Sequence, residues 1–250
     1  MDVIRQVLGD EKLNFIGISY GTWLGIWYAS LFPDRVGNML LIGQTDVTAP
    51  LNEALLLQEM GMQRVLEKKL VPYAASHPRF FHLGATESEV MSAISAIAGK
   101  LKHATIKALD QHISFSMNAH LALFTLRSAL VIDSFLAQNP VADPDRLHQF
   151  LDDFHWDVPP EYQELLAGIA RELTQKYFDL VNAKPESVNL VGSDAVWWAV
   201  QGMDANTLHD ADSWALQSTL QAECYPQFGG FYATNPVLFW DESLFRLPPH

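Results

Sequence analysis

Apolar and polar positions follow two rhythms along this chain, and the change from one to the other falls near residue 50. Before it, Leu13-Asn14-Phe15-Ile16-Gly17-Ile18 and Val36 to Ile42 are short, nearly continuous apolar runs of the kind that form buried parallel strands. Between them Thr22 to Phe32 reads as a helix, with Gly25, Ala29 and Ser30 small enough to let it lie close on a sheet. Phe32-Pro33-Asp34-Arg35 supplies a helix stop with turn chemistry, and Asp2 to Leu8 reads as a short helix stopped by Gly9. Helix, strand, helix, strand is half of a doubly wound unit, in which a helix carries the chain between parallel strands.

Beyond residue 50 strand signals fade and helical periodicity takes over. Asn52 to Leu70 carries apolar residues at helical spacing, and Thr86-Glu87-Ser88-Glu89 is a capping box before Val90 to Leu101. The apolar stretch Ile113 to Leu136 is interrupted by Asn118, His120, Arg127 and Asp133, costly groups at a bilayer centre, which predicts a core helix. Asp143-Pro144 is an N-cap with proline at the first helical position, introducing Arg146 to Phe154. Further helices are predicted over Glu161 to Val181, Ser193 to Gln201 and Ala211 to Glu223. Two strands do not make a stable sheet, so the helical region must bear much of the stability or a partner segment must complete the sheet.

Composition narrows the class. The 250 residues are 49 % hydrophobic and 18 % charged, enough to bury a sizeable core, and the net charge of −13 argues against nucleic acid and against an anionic membrane surface. Met1-Asp2-Val3-Ile4-Arg5 has neither the basic nor the apolar region of a signal peptide, so an export signal, if there is one, is expected upstream. Cys224 is the only cysteine and is read as a lone buried thiol. The His209-Asp210-Ala211-Asp212 cluster carries metal-capable atoms, but an acidic helix start accounts for it, and no metal or cofactor is assigned.

The chemistry sits between the first strand and its helix, where Gly17-Ile18-Ser19-Tyr20-Gly21 fits G-x-S-x-G. In that setting the motif makes a sharp strand-to-helix turn that lifts one hydroxyl clear of the sheet, the nucleophile elbow. Ser19 is the candidate nucleophile, and Gly17 and Gly21 are read as positions where a side chain would clash. The backbone N–H of Tyr20 is the candidate donor to a developing oxyanion.

Ile4-Arg5-Gln6-Val7-Leu8-Gly9, the elbow with Thr22, Leu24-Gly25, Tyr28-Ala29 and Phe32-Pro33-Asp34-Arg35-Val36 together resemble the tripeptidyl/prolyl aminopeptidase branch of the α/β-hydrolases. Ala199-Val200-Gln201-Gly202-Met203-Asp204 resembles that family's lid segment whose acidic residue receives the substrate's amino group, which makes Asp204 the candidate amine anchor. Pro226-Gln227-Phe228-Gly229 and Phe239-Trp240 resemble the stretch leading back to the sheet. The chain departs from the family where Ile42 stands before Gly43 in place of an acid, and where Gly202 and Leu238 replace two cysteines.

The resemblance implies an α/β fold: a partial α/β-hydrolase core of elbow strand, helix and next parallel strand, with a large all-helical lid insertion. The implied organisation is 1–48 core, 49–235 helical lid and 236–250 return segment, with further core segments, and the acid and histidine of the triad, expected outside this stretch. The implied activity is a serine hydrolase releasing N-terminal residues or short peptides through an acyl-enzyme, inactive or impaired as this segment alone. An esterase or amidase on the same scaffold, or an interaction module with a vestigial elbow, stay open. Substrates would be a peptide or a small amide or ester. The nine histidines, His77, His82, His103, His112, His120, His148, His155, His209 and His250, fall on predicted helices and loops, where surface or satisfied core histidine is expected. Trp197, Trp198, Trp214, Trp240, Phe228, Phe231 and Tyr232 would line an apolar pocket or fill the lid core.

Overall fold

The computed structural model describes residues 1–48, 51–116, 118–141, 143–183 and 211–229. They fall into two compact units, one holding the described residues of 1–58 and 211–217, the other 59–183 and 218–229.

In the first unit α1 (Asp2–Val7) precedes β1 (Leu13–Ile18), α2 (Tyr20–Leu31), a short 3-10 turn (Pro33–Arg35) and β2 (Val36–Ile42). The two strands pair in parallel, Phe15 opposite Met39, Ile16 opposite Leu40, Gly17 opposite Leu41 and Ile18 opposite Ile42. The register slips between Leu13 and Phe15, where the Asn14 side-chain oxygen accepts the Asn38 N–H at 2.8 Å in place of a ladder carbonyl. Helix α2 lies close on this sheet because Gly25 has no side chain: a Cβ there would stand 2.9 Å from both Leu41 Cδ2 and Phe15 Cε1. Asp2 ties the unit together. It accepts from Arg5 Nε at 2.8 Å, Gln6 Nε2 at 2.6 Å and Tyr28 Oη at 3.1 Å, and pairs with Arg35, so one carboxylate joins α1, α2 and the turn before β2.

The second unit is helical. From Glu59 within α3 (Leu51–Val65) it runs through a π turn (Leu66–Leu70) into α4 (Val71–Ser76), then α5 (Pro78–Phe81), α6 (Glu87–Ala96), α7 (Gly99–Asp110), a second π turn (Gln111–Ser116), α8 (Ala119–Gln138), α9 (Pro144–Asp153) and α10 (Pro160–Asn182), and it takes in α11 (Ala211–Cys224) from Ser218 onward. The centre is α8, whose Leu123, Phe124, Leu126 and Ile132 are fully buried, packed against α7 and α10. By length and apolarity α8 would also suit a bilayer, yet half of that stretch is buried inside this unit. Its interior hydroxyl at Thr125 donates to the Leu121 carbonyl, as Thr105 does to Leu101 and Thr174 to Ala170, so these buried polar groups are satisfied within their own helices.

A small open parallel sheet followed by an extensive helical region is the architecture the sequence predicts. Four details differ. The helix expected over Asn52 to Leu70 widens into a π turn at Leu66 and then runs on into α4, with Pro72 in its first turn. The helix expected to reach Leu101 stops at Ala96, because Ile97 (ψ +123°) and Ala98 (ψ +170°) are extended, and the separate helix α7 starts at Gly99. The core helix expected from Ile113 starts at Ala119, where Asn118 Oδ1 accepts from the N–H groups of His120 and Leu121. Cys224 is exposed, since it ends α11 on an open face and burial resumes only at Gln227 and Phe228. Phe228 is core, 1 % exposed, while Gln227 bridges Gln63 and Ser95.

Candidate active site

Ser19 stands between β1 and α2 with φ +52° and ψ −119°. These are the angles of the first central residue of a type II′ turn, a position that favours glycine because a Cβ is crowded there. Holding serine in it costs roughly 1–3 kcal/mol, so its surroundings must over-determine it. They do so through its backbone. Ser19 N–H donates to Ile42 O at 3.0 Å, which extends the parallel pairing one residue past the strand. Ser19 O accepts from Thr22 N–H at 2.8 Å, Thr22 Oγ1 at 2.7 Å and Thr45 Oγ1 at 3.3 Å. Thr22 is fully buried and its Oγ1 also accepts the Thr45 N–H at 3.0 Å, which fastens the loop after β2 to the start of α2.

The two elbow glycines are unequal. A Cβ on Gly17 would stand 2.4 Å from Gly21 O and 2.8 Å from Phe15 Cε1, so only glycine fits. A Cβ on Gly21 would meet nothing within 4 Å. The close approach is that of the Gly17 Cα to the Gly21 peptide, and the expected clash at Gly21 does not occur.

Ser19 is exposed, and Tyr20 opens α2, whose N-terminal end carries the positive pole of the helix dipole. A hydroxyl held beside that pole can deliver its oxygen to an electrophile while the neighbouring amide faces the charge that develops. No described histidine or carboxylate is hydrogen-bonded to Ser19 Oγ. Several histidines are engaged in the helical unit: His120 Nε2 with Tyr73 Oη at 3.0 Å, His77 Nδ1 with Tyr73 O at 3.0 Å, and His82 Nε2 facing Asp157 Oδ2 at 3.5 Å. His112 is half-buried, and that burial pushes its pKa down against the pull of Glu172. Asp204, His209, His250, Trp197, Trp198, Trp240, Phe231 and Tyr232 lie outside the described residues, as does the side chain of Trp214.

Residues 1–79 match the sequence model of the alpha/beta hydrolase fold family. The match takes in α1, the elbow, both strands and the start of the helical region. A tripeptidyl aminopeptidase of Streptomyces lividans is 34 % identical over 126 residues, 48 % of this chain and 23 % of that protein, and the Streptomyces coelicolor protein of the same name gives the same figures. Serine protease Hip1 of Mycobacterium tuberculosis is 49 % identical over 63 residues, 25 % of this chain and 12 % of its own length. The chain spans less than a quarter of the length of these relatives. At family level it is similar to α/β-hydrolases of the tripeptidyl-aminopeptidase-like, peptidase kind. Of the hydrolase-like site, sequence reasoning missed Thr22 and Thr45 as the grip on Ser19, because nothing in the motif marks a threonine beyond the next strand.

Proposed function

We propose that this chain carries the nucleophile of a serine peptidase that acts at the amino end of peptides through an acyl-enzyme. The observation that carries the proposal is the strained, over-determined Ser19, +52° in φ and exposed between strand and helix. Ser19 Oγ attacks the scissile carbonyl, a general base takes its proton, and the Tyr20 N–H donates to the oxyanion. Loss of one such donor typically slows acyl transfer by about 10²–10³. The described residues supply no base to Oγ, so the chain by itself is expected to turn over slowly. The proposed organisation keeps residues 1–48 as the catalytic core piece, 49–235 as the helical lid and 236–250 as the return segment.

Asp204 is proposed to receive the substrate's ammonium, a charge-assisted contact that an N-blocked substrate cannot make. The test is hydrolysis of tripeptide anilides with free and acetylated amino ends. A free-end preference that falls in Asp204→Asn through a raised KM supports the exopeptidase reading. Equal rates for both ends in the parent chain refute it and favour an esterase or amidase on the same scaffold.

A further inference from the structure

The helical unit holds a cavity of about 410 Å³ between α8, α9 and the turn after α5, within the size range of small-molecule sites. Arg127 of α8 lines it although the residue is only 5 % exposed. A buried guanidinium has five N–H donors and a charge to neutralise. Among the described residues it makes a single hydrogen bond, Nη1 to Phe80 O at 3.0 Å, and its Cζ lies 5.6 Å from the centroid of the Trp156 ring. No carboxylate among the described residues stands within ion-pair distance. Asp157, also lining the cavity, acts on Arg127 only at longer range, and its side chain is 81 % exposed and faces His82. Burial lowers the Arg127 pKa from its usual value, with Asp157 opposing, and the group stays charged.

The rest of the cavity is built for an apolar body. Phe150 and Phe154 form one wall, with ring centroids 5.6 Å apart, and Phe150 is braced from behind by Phe135 at 4.5 Å. His82, which also lines the cavity, caps the end of α5 in the left-handed conformation, φ +52°. A buried cation short of acceptors beside an aromatic wall selects one chemistry. We infer that this cavity binds a carboxylate attached to an aromatic or branched apolar group, its oxygens on the Arg127 guanidinium and its body against Phe150 and Phe154. The site holds whether or not Ser19 is a nucleophile. The same chemistry is offered by a free carboxylic acid and by the C-terminus of a peptide ending in an apolar residue.

Calorimetric titration of the full chain tests this with two matched pairs: 3-phenylpropanoate against 3-phenylpropanamide, and N-acetyl-Gly-Phe against its C-terminal amide. Each acid is expected to bind at least about tenfold tighter than its amide, the worth of a charge-assisted hydrogen bond. The pair with the larger ratio identifies the source. Arg127→Met should abolish the preference, and Asp157→Asn, an exposed change, should tighten the acids roughly two- to fivefold and leave the amides unmoved. Should Arg127→Met fail to fold, the Asp157→Asn comparison decides alone. Equal binding of acid and amide, no saturable binding of either acid at about 10 mM, or an acid preference that survives in folded Arg127→Met overturns the inference.

Discussion

At the scale of single residues, the elbow depends on two that are not interchangeable with their neighbours. Ser19 adopts a conformation suited to glycine, and Gly17 leaves room for the Gly21 peptide. Replacing Gly17 by alanine places a Cβ 2.4 Å from a backbone oxygen that cannot rotate away. Gly17→Ala is therefore expected to destabilise the folded chain by about 1–3 kcal/mol, the usual cost of overpacking. Gly21→Ala meets open space at a helix start whose backbone needs no positive φ. It should change stability by less than about 1 kcal/mol, towards greater stability, because alanine is the better helix former. Denaturant unfolding of the two variants side by side checks the contrast. The G-x-S-x-G spacing made Ser19 legible from the sequence, but it gave both glycines the same role, and only the approach of strand to helix separates them.

Among the elements, α1 is tethered to its neighbours by a carboxylate rather than by an apolar face, since Val3, Ile4, Val7 and Leu8 are all exposed while Asp2 and Arg5 are buried. The hydrogen bond from Arg5 holds the Asp2 carboxyl well below the usual carboxylate range, with Gln6, Tyr28 and Arg35 adding to it and burial opposing. The unfolded chain, with Asp2 near its ordinary value of about 3.9, then binds the proton more readily than the folded chain does. The stability Asp2 contributes is complete above that value and is lost as the pH falls below it towards the depressed folded value. Asp2→Asn should flatten this acid limb, so that thermal melts between pH 7 and about pH 2 converge at the acid end and diverge at neutrality. Equal acid limbs in the two proteins would mean that Asp2 does not couple α1 to α2. The strands were legible at both ends because turn residues bound each apolar run. The helix breaks were less so: a π turn keeps an apolar pattern while slipping its phase, and α6 ends at two extended residues, Ile97 and Ala98, that continue its apolar run.

On the whole-molecule scale, the chain joins a thin α/β unit to a well-filled helical one. The strands of the first leave Ile16, Ile18, Leu40 and Ile42 exposed, whereas α8 of the second is buried from Ala122 to Ala129 and again at Ile132. The hydrophobic rhythm changes near residue 50, whereas the compact units divide between Gln58 and Glu59, inside α3. The Arg127 cavity was not legible, because in the sequence Arg127 reads only as a charge interrupting an apolar run, and its shortage of acceptors appears once Phe80, Trp156 and Asp157 are placed around it. The account rests on Ser19 as the nucleophile, and fluorophosphonate labelling of the purified chain and of Ser19→Ala, with the adduct mapped by mass spectrometry, tests it most directly. Slow labelling confined to Ser19 and absent from Ser19→Ala is the predicted result. An adduct on any other serine that persists in Ser19→Ala, or a folded chain that takes no label, would contradict it.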